Sequence, residues 1–238
     1  TGWDFSKNKI GQDLINVWHT ALSSQPVFGG PAYFIRNVVH AVGGALKFSA
    51  RPSGMIVYNN TFCSETSVSF YSNGQFRNNL FLGNDPDSPT LSSMSYTSYT
   101  SFDYNGYRKK PNADPLFQFA QPTDQLRDYT LTTRGPRNTE GPPMPAFKSI
   151  GEFSAATGHE KNGVMLDYDV LVRVEPPDPN DRARVFQLEE FDFRLKAGSA
   201  AIDAGTELPS LTDGFVGSAP DLGAYEHGKP LPHYGPRT

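Results

Sequence analysis

Apolar and polar positions in the first third of the chain recur together with an asparagine. Three segments align on it: Tyr33-Phe34-Ile35-Arg36-Asn37-Val38-Val39, Ile56-Val57-Tyr58-Asn59-Asn60-Thr61-Phe62 and Gln75-Phe76-Arg77-Asn78-Asn79-Leu80-Phe81. Asn37, Asn60 and Asn79 stand 23 and 19 residues apart; each has an apolar residue three positions before it and another two after it. A weaker copy, Leu14-Ile15-Asn16-Val17-Trp18, lies 21 residues upstream of Asn37. Between the copies, residues 44–48 and 67–70 read as a second short strand, offset by 22 residues.

A period near 21 residues with two or three short strands per period predicts a solenoid of β coils, hence an all-β fold. One coil cannot bury its apolar face alone, whereas stacked coils bury a continuous column. The asparagine has a physical task in such a stack. Its amide carries donor and acceptor, so asparagines at one turn form a hydrogen-bonded ladder along the axis. Asparagine also tolerates the left-handed conformation that a tight turn needs. Single Asn-Asn pairs would mark ordinary hairpins; copies in phase with apolar strands favour the solenoid.

The period lapses after residue 84. Residues 85–190 read as an excursion packed on the coils 1–84, and residues 191–238 as a closing segment with a tail, all in one structural domain. Within the excursion, Asp103-Tyr104-Asn105-Gly106-Tyr107 reads as a hairpin turn. Ser149, followed by Glu152 and Gly158, predicts a capped short helix over residues 149–157. Residues 164–174 alternate as a strand. Trp3-Asp4-Phe5 enters the coil pattern without a polar cap, and an open solenoid end exposes core and strand edges. The expectation is that further coils or another chain cover the Thr1 end.

Composition narrows the classes. With 22 Gly, 20 Pro, one Cys and 19% charged residues among 238, the chain is neither a coiled coil, a helical bundle nor a disulfide-stapled mini-domain. A net charge of −4 gives no basic footprint for nucleic acid. No run of eighteen apolar residues offers a membrane span.

The segments Val57-Tyr58-Asn59-Asn60-Thr61-Phe62 and Phe76-Arg77-Asn78-Asn79-Leu80-Phe81 resemble the coil signature of right-handed parallel β-helix proteins of the pectate-lyase-like superfamily. A second likeness runs from Asp192-Phe193-Arg194-Leu195 through Gly198-Ser199-Ala200-Ala201-Ile202-Asp203-Ala204-Gly205 to Pro220-Asp221-Leu222-Gly223-Ala224-Tyr225-Glu226. It is similar to the closing segment of secreted bacterial β-helix proteins. The resemblance implies a right-handed parallel β-helix, a secreted, periplasmic or cell-surface location and a polysaccharide partner. It leaves the chemistry open.

In polysaccharide lyases of this fold, Lys or Arg removes the proton beside a uronate carboxyl while cations balance the developing charge. With Leu46 and Phe48 inward, Lys47 points outward, and Arg51 follows. Lys47 and Arg51 could form that catalytic pair, with His40 as proton carrier. Arg36 and Arg77 sit at nearly equivalent turn positions and suit an acidic sugar chain. Tyr96, Tyr99, Phe102, Tyr104 and Tyr107 crowd around Asp103, and aromatic faces with polar rims suit sugar rings. Each feature also has a plainer reading, as solvated strand surface or as rings packing the excursion. Asp103 has no second carboxylate, as an inverting glycosidase would require. Asp167 with Asp169, and Asp178 with Asp181, lack a diagnostic calcium spacing, so no metal ligand is assigned and the cofactor, Ca2+ included, stays open. Asp203 and Asp221 are expected to bond turns, and Cys63 to be a shielded thiol. The leading expectation is a polysaccharide lyase acting by β-elimination. The alternatives are a non-catalytic scaffold, adhesin or assembly subunit, and an inverting glycoside hydrolase.

Overall fold

Strands too short to be stable alone pair here with their own sequence copies. The computed structural model describes residues 20–24, 29–48, 52–122, 144–181 and 184–231. The first row of strands holds β1 (Thr20–Ser24), β4 (Gly44–Phe48), the first half of β7 (Glu65–Arg77), β9 (Leu91–Ser95) and β12 (Phe117–Ala120). The second row holds β2 (Gly29–Ile35), β5 (Ser53–Tyr58), the second half of β7 and β10 (Ser101–Asp103). The third row holds β3 (Val38–Val39), β6 (Thr61–Phe62), β8 (Leu80–Phe81), β11 (Gly106–Arg108) and β14 (Val164–Leu166). All these pairings are parallel, and the chain visits the three rows in the same order on successive passes. β7 runs from the first row into the second and joins them as one nine-stranded sheet, whose ninth strand, β13 (Ala146–Phe147), is an antiparallel edge.

In-register copies place like residues over like, and aromatic columns result. Phe34, Val57, Phe76 and Phe102 are partners across the second row. Phe76 and Phe102 stack with ring centroids 4.0 Å apart and planes within 5°. Phe62, Phe81 and Tyr107 form a second column, with centroid steps of 5.6 and 5.2 Å. Strands about 4.8 Å apart leave just enough room for offset ring stacking.

The asparagine ladder forms and is longer than the repeat implied. The amide oxygen of Asn60 accepts from the side chain of Asn37 at 2.9 Å; that of Asn79 accepts from Asn60 at 2.8 Å. A fourth rung follows, where Asn105 accepts from Asn79 at 2.9 Å. The segment read as a hairpin at residues 103–107 is therefore a turn from the second row into the third. Residues 91–120 continue the strand rows inside the stretch expected as an excursion. The left-handed residue is the one before each rung: Arg36, Asn59, Asn78 and Tyr104, with φ of 51–56°. So the ladder asparagines were chosen for their amides rather than for the turn conformation.

Helix α1 (Ile150–Thr157) has the expected ends. The Ser149 hydroxyl accepts from the Glu152 amide at 3.1 Å, and Gly158 closes the helix at φ 77°. Its buried Phe153 stacks on Phe117 at 5.1 Å, which fastens the helix to the first row. The strand read over residues 164–174 is broken into β14, a 3₁₀ turn (Tyr168–Val170) and β15 (Leu171–Arg173). Asp167 causes the break, because its carboxylate accepts from the Tyr168 amide at 2.8 Å and caps the turn.

β15 pairs antiparallel with β16 (Asp192–Leu195), and together with residues 201–224 they cover the outer side of the third row. A second core forms there from Leu80, Leu82, Leu166, Val170, Phe193 and Leu222. The closing segment grips the turns directly: the Gly223 amide donates to Asn78 O at 2.7 Å and the Ala224 amide to Thr61 Oγ1 at 3.0 Å. A β-carbon at Gly223 would lie 2.7 Å from that hydroxyl. Asp203 and Asp221 bond turns as expected, accepting from the amides of Ser218 and His227.

Candidate functional site

The open outer face of the second row gathers the best set of polar and aromatic groups. Strand alternation sends Phe34, Val57, Phe76 and Phe102 inward, so their neighbours point out. Parallel register then builds two columns on that face. One is Tyr33, Ile56, Gln75 and Ser101; the other is Ile35, Tyr58, Arg77 and Asp103. Adjacent rungs are about 4.8 Å apart, so the four strands present roughly 14 Å of surface.

Arg77 is fixed at the centre of this face. Its guanidinium donates to Ser101 O at 3.0 Å and to Ser101 Oγ at 2.7 Å. Burial raises the Tyr58 hydroxyl pKa, with the charge of Arg77 pulling the other way. Asp103 accepts from the Asn162 backbone at 2.9 Å and from its side chain at 3.1 Å. Tyr33, in the column of Gln75, is 65% exposed and Tyr99 50%, so both rings present area to solvent. Gln75 is tied to Tyr99 O at 2.8 Å. Half-buried Tyr104 follows Asp103 in the turn. The arrangement offers ring faces, one cation, one carboxylate and an amide to a ligand lying along the row.

The other expected residues fall elsewhere. Tyr107 is fully buried and donates its hydroxyl to Glu160 at 2.8 Å, and Phe102 and Tyr96 are also buried. Packing, not sugar contact, accounts for these three rings. Arg36 reaches Leu211 O at 2.6 Å; its register partners at the turn are Asn59 and Asn78, one position beyond Arg77. His40 is caged by Phe186, Phe191 and Phe193 at centroid distances of 4.6, 4.2 and 5.8 Å, with Nε2 at 2.9 Å from Glu175 O. Burial lowers its pKa. A proton carrier needs an open approach, and these rings close it. Lys47 lies on β4 beside Ser23, but its side chain lies outside what is described, as do Arg51, the copy at residues 14–18 and the segment 3–5. Cys63 is completely buried, which pushes its thiol up to about 12. Asp167 pairs with Arg108 at 2.9 Å rather than with Asp169. Among the described residues no group of three or more His, Cys, Asp or Glu could hold a metal ion. No helix among them is long and apolar enough to cross a membrane.

Tyr33, Tyr58 and Gln75 escaped the sequence reading, although the repeats contain the signal. Positions two before each rung are Ile35, Tyr58, Arg77 and Asp103; aligning them gives the column directly. No family model, curated protein or solved structure matches this chain.

Proposed function

We propose that this chain is a right-handed parallel β-helix protein that binds an acidic polysaccharide along the outer face of the second row. The observation that carries the reading is the column Tyr58, Arg77 and Asp103 beside Tyr33 and Gln75. Arg77 meets a uronate carboxylate, Asp103 and Gln75 meet hydroxyls, and the tyrosine rings take the C–H faces. The resemblance of the coil and closing motifs to secreted β-helix proteins supports an extracellular or envelope setting. The caged His40 favours a binding face over a lyase centre, and so favours the scaffold or adhesin form of the function.

Retention on immobilised alginate, pectate and glycosaminoglycans tests the reading, with ultraviolet absorbance followed for unsaturated products. Salt-sensitive retention that weakens in Arg77→Ala supports it. No retention on any acidic polymer would overturn it. A rise in absorbance, abolished by Lys47→Ala with Arg51→Ala, would replace binding with β-elimination.

A further inference from the structure

Where the ends of β11, β14 and β16 meet, a half-open cleft of about 530 Å3 is lined by Lys109 and Lys196. Backbone pairing brings the two lysines to it. The Lys109 amide donates to Leu166 O at 2.8 Å and the Lys196 amide to Val170 O at 2.8 Å, so both are anchored to residues 166–170. Met165 and Val170 add apolar lining; Asp167, Asp169 and Ser199 add polar groups. Arg108 balances Asp167, its Nε 2.9 Å from Oδ1. Apart from that pair, the lining carries two lysines and one further carboxylate, that of Asp169. Ser199 Oγ is shielded from solvent without a hydrogen-bond partner among the described residues, a state that buried hydroxyls rarely keep.

We propose that this cleft binds a small monoanion bearing hydroxyl groups, a sugar acid or a related hydroxycarboxylate. The ligand carboxylate sits between the two lysines, where charge-assisted hydrogen bonds are strongest. Asp169 and Ser199 take the hydroxyls. Asp169 also repels a compact dianion such as phosphate, which offers it no hydroxyl row in return. The volume falls within the range of ordinary small-molecule sites. The site lies on the third row, apart from the polysaccharide face, and does not depend on it. A free sugar acid and the terminal unit of an acidic chain share the required chemistry.

Calorimetric titration of the full chain with glucuronate, glucose, inorganic phosphate and a short acidic oligosaccharide tests the site. Saturable glucuronate binding is expected, with glucose and phosphate each at least about tenfold weaker, the worth of one charge-assisted contact. Lys109→Ala with Lys196→Ala should weaken glucuronate by more than about tenfold. Both lysines are exposed, so the double variant keeps its fold, verified by an unchanged denaturation midpoint. Competition between oligosaccharide and glucuronate identifies the chain end as ligand; its absence identifies the free acid. Undetectable glucuronate binding, phosphate binding as tight as glucuronate, or unchanged affinity in the double variant overturns the proposal. Oligosaccharide binding lost only in Arg77→Ala would then leave the second-row face standing by itself.

Discussion

The carboxylate of Glu160 ends the asparagine ladder by taking the place of a fifth rung on Asn105. Its Oε1 accepts from Asn105 Nδ2 at 2.7 Å and its Oε2 from the Asn105 backbone at 3.3 Å, while Tyr107 donates to Oε1 at 2.8 Å. Asn105 Nδ2 also reaches Phe76 O and Asp103 O, both at 3.1 Å, so the groups that depend on Glu160 are the Asn105 backbone N–H and the Tyr107 hydroxyl; an unmet buried donor costs about 1–3 kcal/mol. A carboxylate is acceptor-only when ionised, so it stops the ladder instead of extending it.

This cap makes stability depend on pH. Full burial is the main reason that the Glu160 pKa rises to about 7 from the ordinary 4.5, with hydrogen bonds from Asn105 and Tyr107 opposing and nearby Asp103 adding to the rise. The folded state therefore holds a proton that the unfolded chain releases, and this contribution is lost as pH rises from about 4.5 through 7. At 1.36 kcal/mol per pKa unit the change is on the order of 3 kcal/mol. Glu160→Gln should match the parent at pH 5 and exceed it at pH 8, as measured by urea denaturation. Equal pH slopes for the two proteins would refute this role.

Removing an inner rung should be costly. Asn79 is fully buried, donates to Asn105 and to Val57 O at 2.8 Å, and accepts from Asn60. Asn79→Ala is expected to lose about 3–5 kcal/mol, since several buried partners go unmet at once. Asn37, half-buried and accepting no ladder bond among the described residues, should lose about 1–2 kcal/mol on the same change. Denaturation midpoints for the two variants decide the ranking.

The face proposed to bind polysaccharide can be probed without disturbing the core. Tyr33 is 65% exposed, so Tyr33→Ala should shift stability by no more than about 0.5 kcal/mol. Loss of one stacking ring should nevertheless weaken retention on an acidic polymer about fivefold, near 1 kcal/mol. Quantitative affinity chromatography reads the difference.

Cys63 gives a check on the second core. Its thiol, pushed up to about 12 by burial, should resist a thiol reagent in the native state and react fully in denaturant. Rapid native labelling would mean that residues 168–224 do not cover the third row.

Much of this was legible in the chain, and the limits are physical. The apolar residues three before and two after each asparagine determined the strands, their inward faces and the ladder, because in-register parallel copies repeat every local preference. Ser149 and Gly158 likewise determined the helix ends through local bonds. Asn105 was misread because the spacing stretches to 26 residues and Tyr104 stands at a left-handed position usually filled by Asn or Gly. Glu160 was invisible as a cap, since it meets Asn105 across 55 residues. The chain could not tell that Tyr107 turns inward while Arg77 stays on a face, or that three phenylalanines from beyond residue 180 close over His40. Periodicity determines what repeats. Which outer surfaces stay open depends on where the non-repeating segments land, and that is decided by long-range packing alone.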